Sequence, residues 1–169
     1  MLTTIEKVIF LQDIDIFEST TTENLAHVAA ITEEVEFKKD QFIFKEGDQA
    51  KSLKVLGSGK VILEMTITRL PERDLSPRAT VDVVVKGEVF GWSAVVEPHI
   101  YTTCAQAIDK CNCVTIDGGK LCELMDSAPE IGYILIRELS QVIASRLTHT
   151  RQTLLSERGL ALLAEHYRY

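Results

Sequence analysis

Residues Gly87 to Ala105 read GEVFGWSAVVEPHIYTTCA. The stretch opens with a glycine turn, and a second glycine, Gly91, is followed by the small residues Ser93 and Ala94. A backbone cradle for an anion is built this way, because Gly accepts positive φ without a Cβ clash and unpaired N–H groups at the start of a short helical turn attract negative charge. The stretch then supplies no cation: no Arg or Lys stands between Lys86 and Lys110.

Outward from this stretch, the chain consists of short runs rich in Val, Ile and Phe. They are Val35 to Phe37, Gln41 to Phe44, Ser52 to Leu56, Lys60 to Thr68, Thr80 to Lys86, Thr102 to Ile108 and Cys113 to Ile116. Turn signals separate them at Lys39-Asp40, Gly47-Asp48, Gly57-Ser58-Gly59, Pro71 to Pro77, Gly87 and Gly118-Gly119. Many short strands at close spacing predict a jelly-roll sandwich or barrel, not a parallel sheet with crossover helices. Arg69 to Arg78, RLPERDLSPR, carries two prolines and five charges and is expected to be an exposed hairpin loop without a function of its own.

Helical patterns flank the strands. Ile5, Val8, Ile9 and Leu11 mark a first helix, and Thr22 to Ile31 a second, with Thr20, Thr21 or Thr22 as N-cap and Glu23 in the first turn. A short helix is expected from Lys120 to Met125, and a long one begins at Pro129. In the long helix Ile131, Ile134, Leu135, Leu139, Val142, Ile143 and Leu147 recur at steps of three and four against Arg137, Glu138, Ser145 and Arg146. Such a stripe packs on the barrel or pairs with its twin, and a homodimer through the helix after Pro129 is the expectation.

The totals set further bounds. A chain of 169 residues with 46% hydrophobic content can bury one substantial core. We divide it into a helical lead plus barrel, residues 1–127, and a C-terminal dimerisation helix and tail, residues 128–169. The net charge of −7 disfavours direct nucleic-acid binding, which rests on clustered Lys and Arg. No apolar run reaches the roughly 18 residues of a membrane span, and the N-terminus lacks a signal-peptide layout, so a cytoplasmic protein is expected. Cys104, Cys111, Cys113 and Cys122 include no CxxC pair and read as small buried hydrophobes, with a redox role for the four, or a metal or redox site at Cys111-Asn112-Cys113, as the lesser alternatives. The four histidines, His27, His99, His149 and His166, are scattered, and nothing in the sequence assembles a catalytic constellation or a metal site.

Three glycine motifs in order carry a specific resemblance: Phe42-Ile43-Phe44-Lys45-Glu46-Gly47-Asp48, then Leu53 to Val61, LKVLGSGKV, then Gly87-Glu88-Val89-Phe90-Gly91. With Ala105 to Asp117 and Leu121 to Leu147 behind them, the chain resembles the cyclic nucleotide-binding domain of the catabolite activator protein and FNR regulator superfamily. The resemblance implies a mainly β fold with helices (α+β): an eight-stranded jelly-roll β-barrel with N-terminal helices, a phosphate-binding cassette and a long C-terminal dimerisation helix. It also implies a non-catalytic regulatory module. The family's regulators carry a helix-turn-helix domain after that helix, whereas Gln152 to Tyr169 are too few for one, so a sensor without its DNA-binding half is expected.

In the family, the glycine at Gly91 is followed by a Glu that binds the ribose, and an Arg with Ser or Thr further on holds the cyclic phosphate. Here Trp92 takes the Glu place, and the Arg place falls in His99-Ile100-Tyr101-Thr102-Thr103-Cys104. A hydrogen bond to a charged group contributes about 1.5 to 3 kcal/mol, so losing the Arg alone weakens a phosphate ligand roughly ten- to hundredfold. Cyclic nucleotide binding is therefore expected to be weakened. The candidate ligand residues are Gly91, Trp92, Ser93, Ala94, His99, Tyr101, Thr102 and Thr103. Trp92 and Tyr101 favour a flat or apolar ligand there. The expected function is ligand sensing signalled through the C-terminal helix to a partner protein. The alternatives are a degenerate domain serving as dimerisation scaffold and the sensor half of a longer transcription regulator.

Overall fold

A computed structural model of the chain describes residues 2–67 and 77–166. Helix α1, Thr4–Gln12, starts at a capping box in which the Thr3 hydroxyl accepts from the Glu6 N–H and the Glu6 carboxylate accepts from the Thr3 N–H. That carboxylate is held below its ordinary pKa by the Thr3 hydrogen bonds. A 3-10 turn at Asp15–Phe17 leads to α2, Thr22–Ala30, which is capped by Thr21. Of the apolar residues expected to mark α1, only Val8 and Leu11 are buried, while Ile5 and Ile9 face solvent.

Eight strands follow: β1 Thr32–Phe37, β2 Phe42–Phe44, β3 Ser52–Ser58, β4 Val61–Thr66, β5 Arg78–Val84, β6 Val89–Phe90, β7 Cys104–Ala107 and β8 Cys111–Asp117. They form two four-stranded antiparallel sheets in the orders β1-β8-β3-β6 and β2-β7-β4-β5, the arrangement of a jelly roll. The expected strands hold with shifted ends. Arg78 belongs to β5, paired with Thr66, and not to the loop, whereas residues 69–76 of that loop lie outside the described residues. Thr102 and Thr103 precede β7, which starts at Cys104. Strand β6 was not among the expected runs: two residues show no alternation, and only pairing with Lys54 and Val55 makes them a strand.

Apolar residues divide between two cores. Leu56, Val61, Val84, Phe90, Cys111 and Cys113 fill the space between the sheets. Leu53, Val55, Val89, Val114 and Ile116 face the other way and are covered by the helices. Helix α3, Gly118–Ser127, is capped by Asp117, so Gly118-Gly119 opens a helix instead of marking a turn. A Cβ at Gly118 would stand 2.6 Å from the Ala94 carbonyl oxygen, so only glycine lets α3 approach the turn after Gly91 this closely.

Helix α4, Pro129–His166, resolves the apolar stripe into two. Ile131, Leu135 and Leu139 are buried against the domain and Val142 is partly buried, with Arg146 continuing the same face. Ile136, Ile143, Leu147 and Leu154 are exposed. The second set, with Ser140 and Thr150 between its members, follows alternating steps of four and three, which is the spacing of a coiled-coil seam.

Candidate ligand cavity between the glycine turn and the long helix

The site begins at Gly91, which sits at φ 77°. A Cβ there would lie 3.2 Å from the Ser52 carbonyl oxygen and 3.3 Å from the Tyr101 ring, so both the conformation and the close approach demand glycine. Trp92–Val95 then makes a single 3-10 turn. The chain returns through a cis peptide bond before Pro98 to Tyr101, whose ring stacks on Phe44 at 3.7 Å between centroids.

Tyr101 is fixed by a buried lysine. The Lys54 ammonium donates to the Tyr101 hydroxyl at 3.0 Å, to the Ser52 hydroxyl at 2.8 Å and to the Ser52 carbonyl at 3.1 Å. The Tyr101 hydroxyl in turn donates to the Ser52 carbonyl at 2.9 Å. Lys54 is only 5% exposed, its three hydrogens are all placed, and among the described residues it has no carboxylate within ion-pair distance. The Phe44 and Tyr101 rings lie 5.2 and 5.3 Å from its nitrogen, so π faces take the place of an anion.

Between this wall and α4 lies a cavity of about 130 Å³. Phe44, Leu63, Val81, Trp92 and Tyr101 make it mostly apolar, and Gly91, Ser93, Thr102 and Thr103 complete the wall on the turn side. The opposite wall is Arg146 and Thr150 of α4, with Asp82 of β5 beside them. The Arg146 Nε donates to the Asp82 carboxylate at 3.0 Å and Nη2 to the Val89 carbonyl at 2.8 Å, and the guanidinium covers the Trp92 ring at 4.7 Å. Burial pulls the guanidinium pKa down, while Asp82 and Glu88 oppose that shift. Nη1 is shielded from water and has no hydrogen-bond partner among the described residues.

Six of the eight residues expected from the sequence therefore meet in one place: Gly91, Trp92, Ser93, Tyr101, Thr102 and Thr103. Ala94 and His99 do not line this cavity. They border a separate depression with Lys51, Asp117 and Cys122, and Ala94 is buried against Gly118. Sequence reasoning did not find Arg146. It was assigned to the polar side of the long helix, yet its spacing carried the signal, since Leu135, Leu139, Val142 and Arg146 are one face. Asp82 gave no comparable signal.

The cysteines are all free thiols. Cys104, Cys111 and Cys113 are buried and Cys122 is partly buried. Burial pushes Cys113 up to about 12 and also raises Cys111 and Cys122. A thiol is reactive as its thiolate, so this environment disfavours redox sensing. No group of three or more potential metal ligands occurs among the described residues.

Two four-stranded antiparallel sheets, with a glycine turn and a C-terminal helix flanking a small cavity, define the class of fold. Residues 34–128 match the family model of the cyclic nucleotide-binding domain, and the chain belongs to that family. No curated protein sequence matches the chain. Among solved structures it is similar to a protein of Geobacter metallireducens GS-15 described as cyclic nucleotide-binding, at 29% identity and a TM-score of 0.72, covering 87% of this chain and 99% of that one. The N-terminal domain of a transcriptional regulator from Streptomyces coelicolor A3(2) shares the fold at 24% identity and a TM-score of 0.64, covering 80% and 93%. So does the sensor domain of the transcriptional regulator DNR from Pseudomonas aeruginosa, at 18% identity and a TM-score of 0.68, covering 86% and 93%. No helix among the described residues is long and apolar enough to cross a membrane.

Proposed function

We propose that the chain is a non-catalytic sensing module in which a small molecule bound beside Gly91 repositions α4, and α4 pairs with the same helix of a second copy. The single observation that carries this reading is the placement of the cavity: the glycine turn forms one wall, and Arg146 and Thr150 of α4 form the other. An occupant touches both, so its binding energy depends on where the helix stands, which is the condition for a ligand to shift an equilibrium between helix positions. Residues 1–127 then act as sensor and residues 128–169 as dimerisation and output. The exposed seam of Ile136, Ile143, Leu147 and Leu154 supports the homodimer. The open space beside Gly91 favours sensing over a scaffold with a filled pocket.

The cassette segment brings no cation of its own to the cavity, which supports weakened cyclic nucleotide binding. A thermal-shift titration against cyclic AMP, cyclic GMP, cyclic dinucleotides and small aromatic carboxylates tests both points. A ligand at a hundred times its Kd adds about 2.7 kcal/mol and raises the midpoint by several degrees. A shift with the acids and none with micromolar cyclic AMP is the expected result. A shift with micromolar cyclic AMP would make the cassette an ordinary nucleotide site, and silence across the panel would favour the scaffold.

A further inference from the structure

Arg146 is the cation among the described residues that line the cavity, and its charge is tied to an anion, Asp82, on the same wall. A guanidinium has five N–H donors in a rigid fork. Nε serves Asp82 and Nη2 serves the Val89 carbonyl, whereas Nη1 makes no hydrogen bond and is out of contact with water. The rest of the cavity is largely rings and aliphatic chains: Phe44, Leu63, Val81, Trp92 and Tyr101. Behind Tyr101 stands Lys54, a second buried cation, which has no carboxylate within ion-pair distance among the described residues.

Size selects the ligand further. The cavity volume is about 130 Å³. An apolar hole of about 150 Å³ takes one benzene ring, and drug-sized ligands occupy roughly 300 Å³ or more. A purine with its sugar and phosphate would extend out of this space, which opens to solvent. A single ring bearing one acidic group matches both volume and lining.

We propose that the cavity is a receptor for a single-ring carboxylate, its ring held by Phe44, Trp92 and Tyr101 and its carboxylate by the Arg146 guanidinium. The inference rests on the sensing reading above and specifies its ligand class. The carboxylate oxygens pair with the guanidinium fork by displacing Asp82, which lines the same cavity. Asp82 belongs to β5 and Arg146 to α4, so the exchange replaces a direct tie between barrel and helix with one that runs through the ligand.

Trp92 is the sole tryptophan and lines the cavity, so its emission reports occupancy in the full chain. The test is a titration with benzoate and with benzamide, which has nearly the same shape and no charge. Benzoate is expected to bind at least about tenfold more tightly, the size of a lost charge-assisted hydrogen bond. In Arg146→Gln that preference falls to about one. In Asp82→Asn, where the competing carboxylate is gone, benzoate binds about threefold or more tightly than to the parent while benzamide is unchanged. The last variant guards against misfolding, because a damaged site would lose affinity, not gain it. Equal binding of acid and amide, an acid preference that survives Arg146→Gln, or weaker benzoate binding in Asp82→Asn each overturns the proposal and leaves a cavity that senses another ligand class. A Trp92 signal indifferent to both compounds overturns it as well, and the nucleotide arms of the thermal titration then decide whether the sensing reading stands.

Discussion

The two walls of the cavity are built from different material. The turn side is fixed: Gly91 is wedged between Ser52 and Tyr101, and Tyr101 is pinned by Lys54 and stacked on Phe44. The Tyr101 hydroxyl is engaged with Lys54 and Ser52, so this residue offers an occupant its ring face. The helix side presents a cation whose ties to the domain are one carboxylate, one carbonyl and one indole face. The cation that lines the cavity is carried by α4 and not by the glycine turn. An ion pair made by the ligand on this side acts directly on α4.

Substitutions separate the walls in order of size. Leu135, buried where α4 meets the helical core, is the largest test: Leu135→Ala should cost about 2 to 5 kcal/mol in chemical denaturation through cavity formation. A loss below that range would mean that α4 is not anchored there. Asp82→Asn comes next, since it leaves the Arg146 charge partly buried without its anion, and should lower the stability of the ligand-free protein by about 1 to 3 kcal/mol in the same assay. Ile143→Asp with Leu147→Asp, on the exposed seam, should raise the dimer dissociation constant at least about tenfold by analytical ultracentrifugation. Barrel stability per chain should stay within about 0.5 kcal/mol, as for a surface change.

The smallest effect is remote from both walls. Thr3→Ala removes the α1 cap and should cost about 1 kcal/mol. The pH dependence has a definite sign. Glu6 has a lowered carboxyl pKa in the folded chain, so its contribution is fully present above the unfolded value and fades as pH falls through the folded one. Stability curves of parent and Glu6→Gln should therefore converge on acidification, and curves that stay parallel would refute the charge-assisted half of the capping box.

The jelly roll was legible because its glycines sit where the backbone leaves no alternative. Gly91 needs positive φ and a close approach, and the motif around it declares both. Trp92 and Tyr101 were found the same way, as neighbours of that turn. Arg146 and Asp82 were not, because each lies on a different element and only the packing of α4 across β5 brings them together. Tertiary pairing of this kind leaves no short-range motif. The single apolar stripe read from α4 failed for a related reason, since a helix serving both barrel and seam carries two faces whose positions interleave in the sequence. Ala94 was included as a follower of Gly91 and His99 because it falls in the Arg place, but Ala94 lies in the 3-10 turn, His99 follows cis-Pro98, and both border the other depression.

Amide hydrogen exchange with and without saturating benzoate tests the central claim most directly, because it reads the barrel and the helix separately. Slower exchange is predicted both at the Gly91 turn and along residues 143–150 of α4, with the helix response absent in Arg146→Gln. Protection confined to the turn, with α4 unchanged in the parent, would contradict the claim that the helix senses the cavity.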